Sequence, residues 1–253
     1  MRDPHVQSLR YALQASQTSK YLNPPPLKGE GDAFSYVLDN GALTLHMKKH
    51  YASAEEAKAS VAEFLYLWEL DAALRIGQNA IKFVYEDAQL IDRIPPPPGT
   101  LEIHVATAAS VAFMGEVTIC VTRSAYPEPP VSMKLTPNLE TLWTRYEGYR
   151  SQREPLSAMA YFCLTVLETS AGGRAEAATQ YSIDPKVLGK IGELTANRGD
   201  SATARKMQSS LVPYTPAEIG WVEEAIRIII RRVGETATGA PCPMITLKDL
   251  PNL

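Results

Sequence analysis

Residues 33–49 read Ala-Phe-Ser-Tyr-Val-Leu-Asp-Asn-Gly-Ala-Leu-Thr-Leu-His-Met-Lys-Lys, two alternating runs divided by Asp39-Asn40-Gly41. Asn-Gly between alternating runs favours a tight turn whose two central residues need positive φ. The stretch predicts a β-hairpin with arms 33–39 and 42–49. Tyr36 and Leu38 share a face of the first arm. In the second arm Leu43, Leu45 and Met47 alternate with Thr44, His46 and Lys48.

A helix follows. Ser53 with Glu56 three residues on is a capping-box pattern. Ala57, Val61, Phe64, Leu65, Trp68 and Ala72 recur at helical spacing before Gly77, a stripe suited to packing on a sheet. Trp68 is expected between helix and sheet, beside Phe64 and Leu65. Upstream, residues 7–14 alternate through Leu9, Tyr11 and Leu13, and Asn23–Pro26 is an extended run poor in backbone donors. Downstream, residues 80–86, 100–106 and 115–123 alternate through Ile81 and Phe83, Leu101 and Ile103, and Val117 and Ile119. Pro95–Pro98 and Gly99 lie between the first two of these runs. No strand ladder tolerates that sequence, so it reads as a stiff polyproline-type connector. A proline-rich ligand for another protein's aromatic groove is the less favoured reading. Residues 1–130 thus form an α+β unit: an antiparallel sheet of five or six strands with one packed helix.

Pro127, Pro129 and Pro130 end that pattern, and the rest of the chain is helical in period. Thr136-Pro137, Glu154-Pro155, Asp184-Pro185 and Thr215-Pro216-Ala217-Glu218 each open a helix. Gly172-Gly173 and Gly234 are the expected stops. Residues 137–240 are expected to form a bundle of four or five helices. The tail, 241–253, has an apolar alternation from Met244 to Leu247 and is expected to dock back.

At 253 residues the chain suits one large or two small domains. Apolar residues at 45% and charged residues at 21% give an ordinary globular composition. A net charge of −3 argues against a generally basic nucleic-acid binder and leaves room for a local basic patch. Cys120, Cys163 and Cys242 read as free thiols in a reducing compartment. The start, MRDPHVQSLRYALQ, shows no leader-like apolar run, and Ile228–Ile230 falls far short of the ~20 residues of a membrane span. A cytoplasmic location with no membrane partner is the expectation.

No catalytic, metal or cofactor site is assigned. His46 and His50 are four apart, about 13 Å along a strand, and no histidine stands at zinc-like spacing. Cys163 falls on the apolar face of its helix and reads as core. A reactive Cys120 paired with His104 on a neighbouring strand ranks well below a plain strand thiol. Gly172-Gly173-Arg174 reads as a helix-ending loop in preference to a phosphate turn. The carboxylates select no acid–base couple.

The stretch closest to function is Asn197-Arg198-Gly199-Asp200-Ser201-Ala202-Thr203-Ala204-Arg205-Lys206, a polar turn between two helices. Arg227, Arg231 and Arg232 are placed on the following helix, opposite its apolar stripe. If the turn folds back on that helix, Arg198, Arg205, Lys206, Arg227 and Arg231 form a basic binding patch. The ordinary alternative is a solvated loop and helix face, with Glu223 pairing Arg227 at i,i+4.

A sheet-rich part followed by a helical bundle, with a helix–polar turn–helix carrying arginine late in the chain, resembles HEPN-domain proteins. That family is helical, often dimeric, and common in bacterial toxin and anti-phage systems; its active members are metal-independent ribonucleases. Its motif is an arginine, a polar residue, and a histidine four to six positions on. Arg198 matches the arginine. Gly199 stands for the polar residue, Ala202, Thr203 and Ala204 stand where histidine would be, and no histidine follows His104. The resemblance spans residues 137–234. It implies a HEPN-like bundle without nuclease chemistry, with Arg198 and Arg205 as recognition residues.

The leading expectation is a non-enzymatic cytosolic interaction or scaffold protein, bacterial, with a defence-associated role in the HEPN manner as what the resemblance implies, and with a protein partner or a second copy of itself. The alternative is an RNA-binding or RNA-acting protein using the 198–206 turn and the Arg227/Arg231 face.

Overall fold

The computed structural model describes residues 3–15, 19–77, 80–94, 121–199 and 212–253. The chain divides into two compact units, Met1–Pro129 and Pro130–Leu253. Its class is α+β, with the sheet in the N-terminal unit and the other helices in the C-terminal one.

The N-terminal unit contains β1 (Pro4–Ala15), β2 (Ser19–Tyr21), β3 (Leu27–Glu30), β4 (Phe34–Asp39), β5 (Ala42–Met47), α1 (Ala54–Ile76), β6 (Ile81–Asp92) and β7 (Val121–Arg123). Five strands form one antiparallel sheet in the order β3-β4-β5-β1-β6, and β2 and β7 form a separate parallel pair. The β4–β5 hairpin turns at Asn40 and Gly41, with φ of 48° and 74°. Asp39 therefore faces Ala42 and Leu38 faces Leu43, which sends the alternating leucines to one side. Both β1 and β6 run beyond the alternating segments expected, because they pair from Ala15/Ile81 out to Pro4/Asp92. Strands expected at 100–106 and over most of 115–123 lie outside the described residues, as do the polyproline run, His104 and Cys120.

Ser53 caps α1 by accepting from the Glu56 N–H at 3.3 Å. The return bond of the box is displaced by one residue: Glu56 accepts from the Ala52 N–H at 3.1 Å. Trp68 is 0% exposed and lies among the rings of Tyr36, Phe64 and Phe83. Its indole N–H donates to the Pro127 carbonyl at 2.8 Å, so the ring is buried without an orphaned donor. Leu67, Leu70 and Leu74 are buried as well. They lie on the other side of α1 from Trp68, so the helix is enclosed on two faces and not along a single stripe.

The C-terminal unit contains α2 (Pro137–Arg150), α3 (Leu156–Ala171), α4 (Arg174–Gln180), α5 (Pro185–Asn197), α6 (Pro216–Thr236) and a 3-10 turn at Leu247–Asp249. Thr136, Asp184 and Thr215 cap their helices as their sequence positions dictate, Thr215 with a full capping box. Helix α3 packs against α2, α4, α5 and α6 through Met159, Ala160, Cys163, Leu164 and Leu167, all buried.

Three details differ from the sequence reading. Gly172 ends α3 in the left-handed region while Gly173 opens α4, a short helix with too few apolar positions to declare a stripe. Gly234 does not stop α6, which continues to Thr236. A Cβ at Gly234 would come within 2.6 Å of Met133 Cγ, so the residue is small for close packing. Arg232 is not outward: it is 6% exposed, and its Nη1 donates to the carbonyls of Tyr181, Ser182 and Pro243 at 3.3, 3.1 and 2.6 Å. Those acceptors, with Glu235 at 3.1 Å, let a guanidinium stay buried. The tail is fixed beside it, since Ile245 exchanges backbone bonds with Ser182 and Asp184 at 2.9 and 2.8 Å.

Among the described residues no helix is long and apolar enough to cross a membrane.

Candidate functional site

Arg198 closes α5. Its N–H donates to the Leu194 carbonyl at 3.0 Å, and Gly199 donates to Val212 at 3.0 Å. Residues 199 and 212 are therefore joined directly. The Arg198 guanidinium is committed: Nε and Nη2 lie 2.9 and 2.8 Å from Glu218 Oε1. Glu218 Oε2 accepts from the Thr215 N–H at 2.9 Å. Arg198 first, then that backbone bond, holds the Glu218 carboxyl down at about 2. Tyr214 is pushed up to about 12 by burial and then by Glu218, and it donates to the Leu194 carbonyl at 3.2 Å. Arg205 and Lys206 lie outside the described residues.

The helix-face arginines are likewise held by carboxylates of their own helix. Arg227 pairs with Glu224, and Arg231 lies 3.3 Å from Glu235. Glu223 accepts from the Tyr149 hydroxyl, and burial first, then Glu223, raises the Tyr149 pKa. Glu218 anchors Arg198 at the start of α6, whereas Arg227 is nine residues on, about 13 Å along the axis. The structure thus does not gather Arg198, Arg227 and Arg231 into one patch.

What it gathers instead is a groove of about 550 Å³ between α5, α6 and the tail. Trp221 forms its floor, Leu247 and Pro251 one wall, and Lys186, Gly189 and Lys190 the other. A Cβ at Gly189 would meet nothing within 4 Å, so the wall is open there. Lys190 is offset by Glu193 at 3.1 Å, while Lys186 has no ion-pair partner among the described residues. Leu247 is 42% exposed, an apolar group presented at the mouth.

Sequence reasoning missed this groove. The available signal was the set Lys186, Gly189, Lys190 and Glu193, spaced i, i+3, i+4 and i+7 on the side of α5 opposite Val187, Leu188, Ile191 and Leu194. Nothing in that spacing announces that the tail supplies the facing wall. Chemically, an apolar floor with the Lys186 ammonium at its rim suits an amphipathic ligand carrying an acidic group. Among the described residues, no group of three His, Cys, Asp or Glu side chains could hold a metal ion.

No protein-family model, curated protein or solved structure matches the chain.

Proposed function

We propose that this chain is a non-catalytic interaction protein of the bacterial cytosol, whose helical unit takes an extended acidic and apolar segment of a partner protein into the α5–α6–tail groove. The observation that carries this reading is an apolar floor at Trp221 with the Lys186 ammonium at the rim, which has no ion-pair partner among the described residues. The HEPN-like interpretation of the bundle accompanies it, as a scaffold without the family's histidine. An RNA ligand is the weaker reading. Arg198, Arg227 and Arg231 are each offset by a carboxylate, and phosphates would have to displace those carboxylates.

The test uses the full chain against a displayed library of twelve-residue peptides, with a hairpin RNA titrated in parallel at low and high salt. Selection of peptides that combine acidic and apolar residues supports the proposal. RNA binding that weakens steeply with salt, with no peptide enriched, overturns it in favour of the RNA reading. Enriched peptides lacking acidic residues overturn the role given to Lys186.

A further inference from the structure

Away from the groove, the start of β1 is held by a cluster of charged and imidazole groups. Asp3 Oδ1 lies 3.1 Å from His50 Nε2, and Asp3 Oδ2 lies 4.0 Å from Arg93 Nε. The rings of His5 and His50 stack, with centroids 5.3 Å apart and planes 15° from parallel. Among the described residues the buried His5 Nδ1 has no hydrogen-bond partner. Two backbone bonds converge on the same point, Val6 N–H to Tyr51 O at 2.9 Å and Arg93 N–H to Asp3 O at 3.0 Å, and the Asp3 N–H donates to the Asp92 side chain (Oδ1) at 3.0 Å. The cluster therefore joins the first strand to the loop before α1 and to the far end of β6.

We propose that Asp3, His5, His50 and Arg93 form an acid-released clasp, closed while at most one imidazole is protonated and opened by the second proton. The charges facing it from the described residues are Asp3 and Asp92 on the acidic side and Arg93 on the basic side. A single imidazolium in the stacked pair balances that set. A second, on His5, leaves an excess positive charge against a stacked like-charged ring and Arg93, with its buried Nδ1–H facing no acceptor among the described residues. Burial, then Arg93, then His50 already oppose protonation of His5, and Asp3 only partly offsets them. The closed clasp thus binds fewer protons than the open one. Its stability is fully present above the ordinary histidine range and is lost as pH falls through it. What acid releases is the hold on residues 50–52, immediately before the Ser53 cap of α1.

The experiment is amide hydrogen exchange on the full chain at pH 7.5 and pH 5.5, corrected for intrinsic exchange, with His5→Gln and His50→Gln alongside. In the wild type, protection of the Val6 and Arg93 amides falls several-fold at the lower pH. Both variants lose that pH dependence. His50 is solvent-facing, so His50→Gln keeps the test intact if His5→Gln disturbs the strand. Equal protection at the two pH values, or a fall that persists in His50→Gln, overturns the proposal.

Discussion

The Glu218 carboxylate divides its oxygens: Oε1 takes the Arg198 guanidinium at 2.8 Å, while Oε2 closes the Thr215 capping box at 2.9 Å. One side chain thus ties the end of α5 to the start of α6. The arginine that the sequence offers as a recognition residue is a structural partner of that cap.

Glu218→Ala removes both connections. It is expected to cost ~1–2 kcal/mol, the scale of a lost helix cap, read by urea unfolding. The Glu218 carboxyl is held at about 2, below its ordinary value, so its contribution is present above pH ~4.5 and fades as pH falls toward 2. Stability of the wild type and Glu218→Gln should therefore converge in that acid window. A constant gap from pH 7 to pH 2 would show that ionisation of Glu218 is irrelevant.

Trp68→Ala should cost about 3–5 kcal/mol, as large aromatic truncations in cores do, because the ring is enclosed by Tyr36, Phe64 and Phe83. A loss under ~1 kcal/mol in equilibrium unfolding would mean that this face does not pack the sheet.

Two helical glycines should respond oppositely to alanine. Gly189 faces open space, so Gly189→Ala should stabilise by about 0.5–1 kcal/mol through helix propensity. At Gly234 the new methyl would press on Met133 and on Leu139 Cδ2, the latter at 3.2 Å. Overpacking there should outweigh the propensity gain, leaving Gly234→Ala about 1 kcal/mol less stable. Thermal melts of both variants decide it; equal gains would remove the packing argument.

Arg232→Ala leaves the Tyr181, Ser182 and Pro243 carbonyls without their shared donor. The cost should be about 3 kcal/mol, and trypsin should cut early at Lys248. A tail as resistant as in the wild type would show that Ile245 and Leu250 hold it unaided.

Local signals with a unique conformational solution were legible in the sequence. Asn40-Gly41 specified the hairpin register, and Ser53, Thr136, Asp184 and Thr215 specified helix starts, because each requires only neighbours within four residues. Features decided by distant chain were not. Arg232 follows Ile229 by three and flanks the inward stripe of α6, and a charge at such a position reads as exposed until the 181–182 and 243 carbonyls are known. Gly234 reads as a stop until Met133 is seen against it. The groove escaped for the same reason: α5 supplies one wall and residues 247–253 the other, and no local rule pairs them. For the candidate site, Arg198 and the helix-face arginines were found, but their carboxylate partners were predictable only in part.

The most direct test of the groove is backbone amide chemical-shift mapping of the full chain with a selected acidic–apolar peptide, repeated with Gly189→Leu. The account predicts that the largest perturbations fall on Lys186, Gly189, Lys190 and Leu247, and that leucine at position 189 weakens binding at least about tenfold, or ~1.4 kcal/mol, while the fold is retained. Perturbations centred elsewhere, or unchanged affinity in Gly189→Leu, would contradict it.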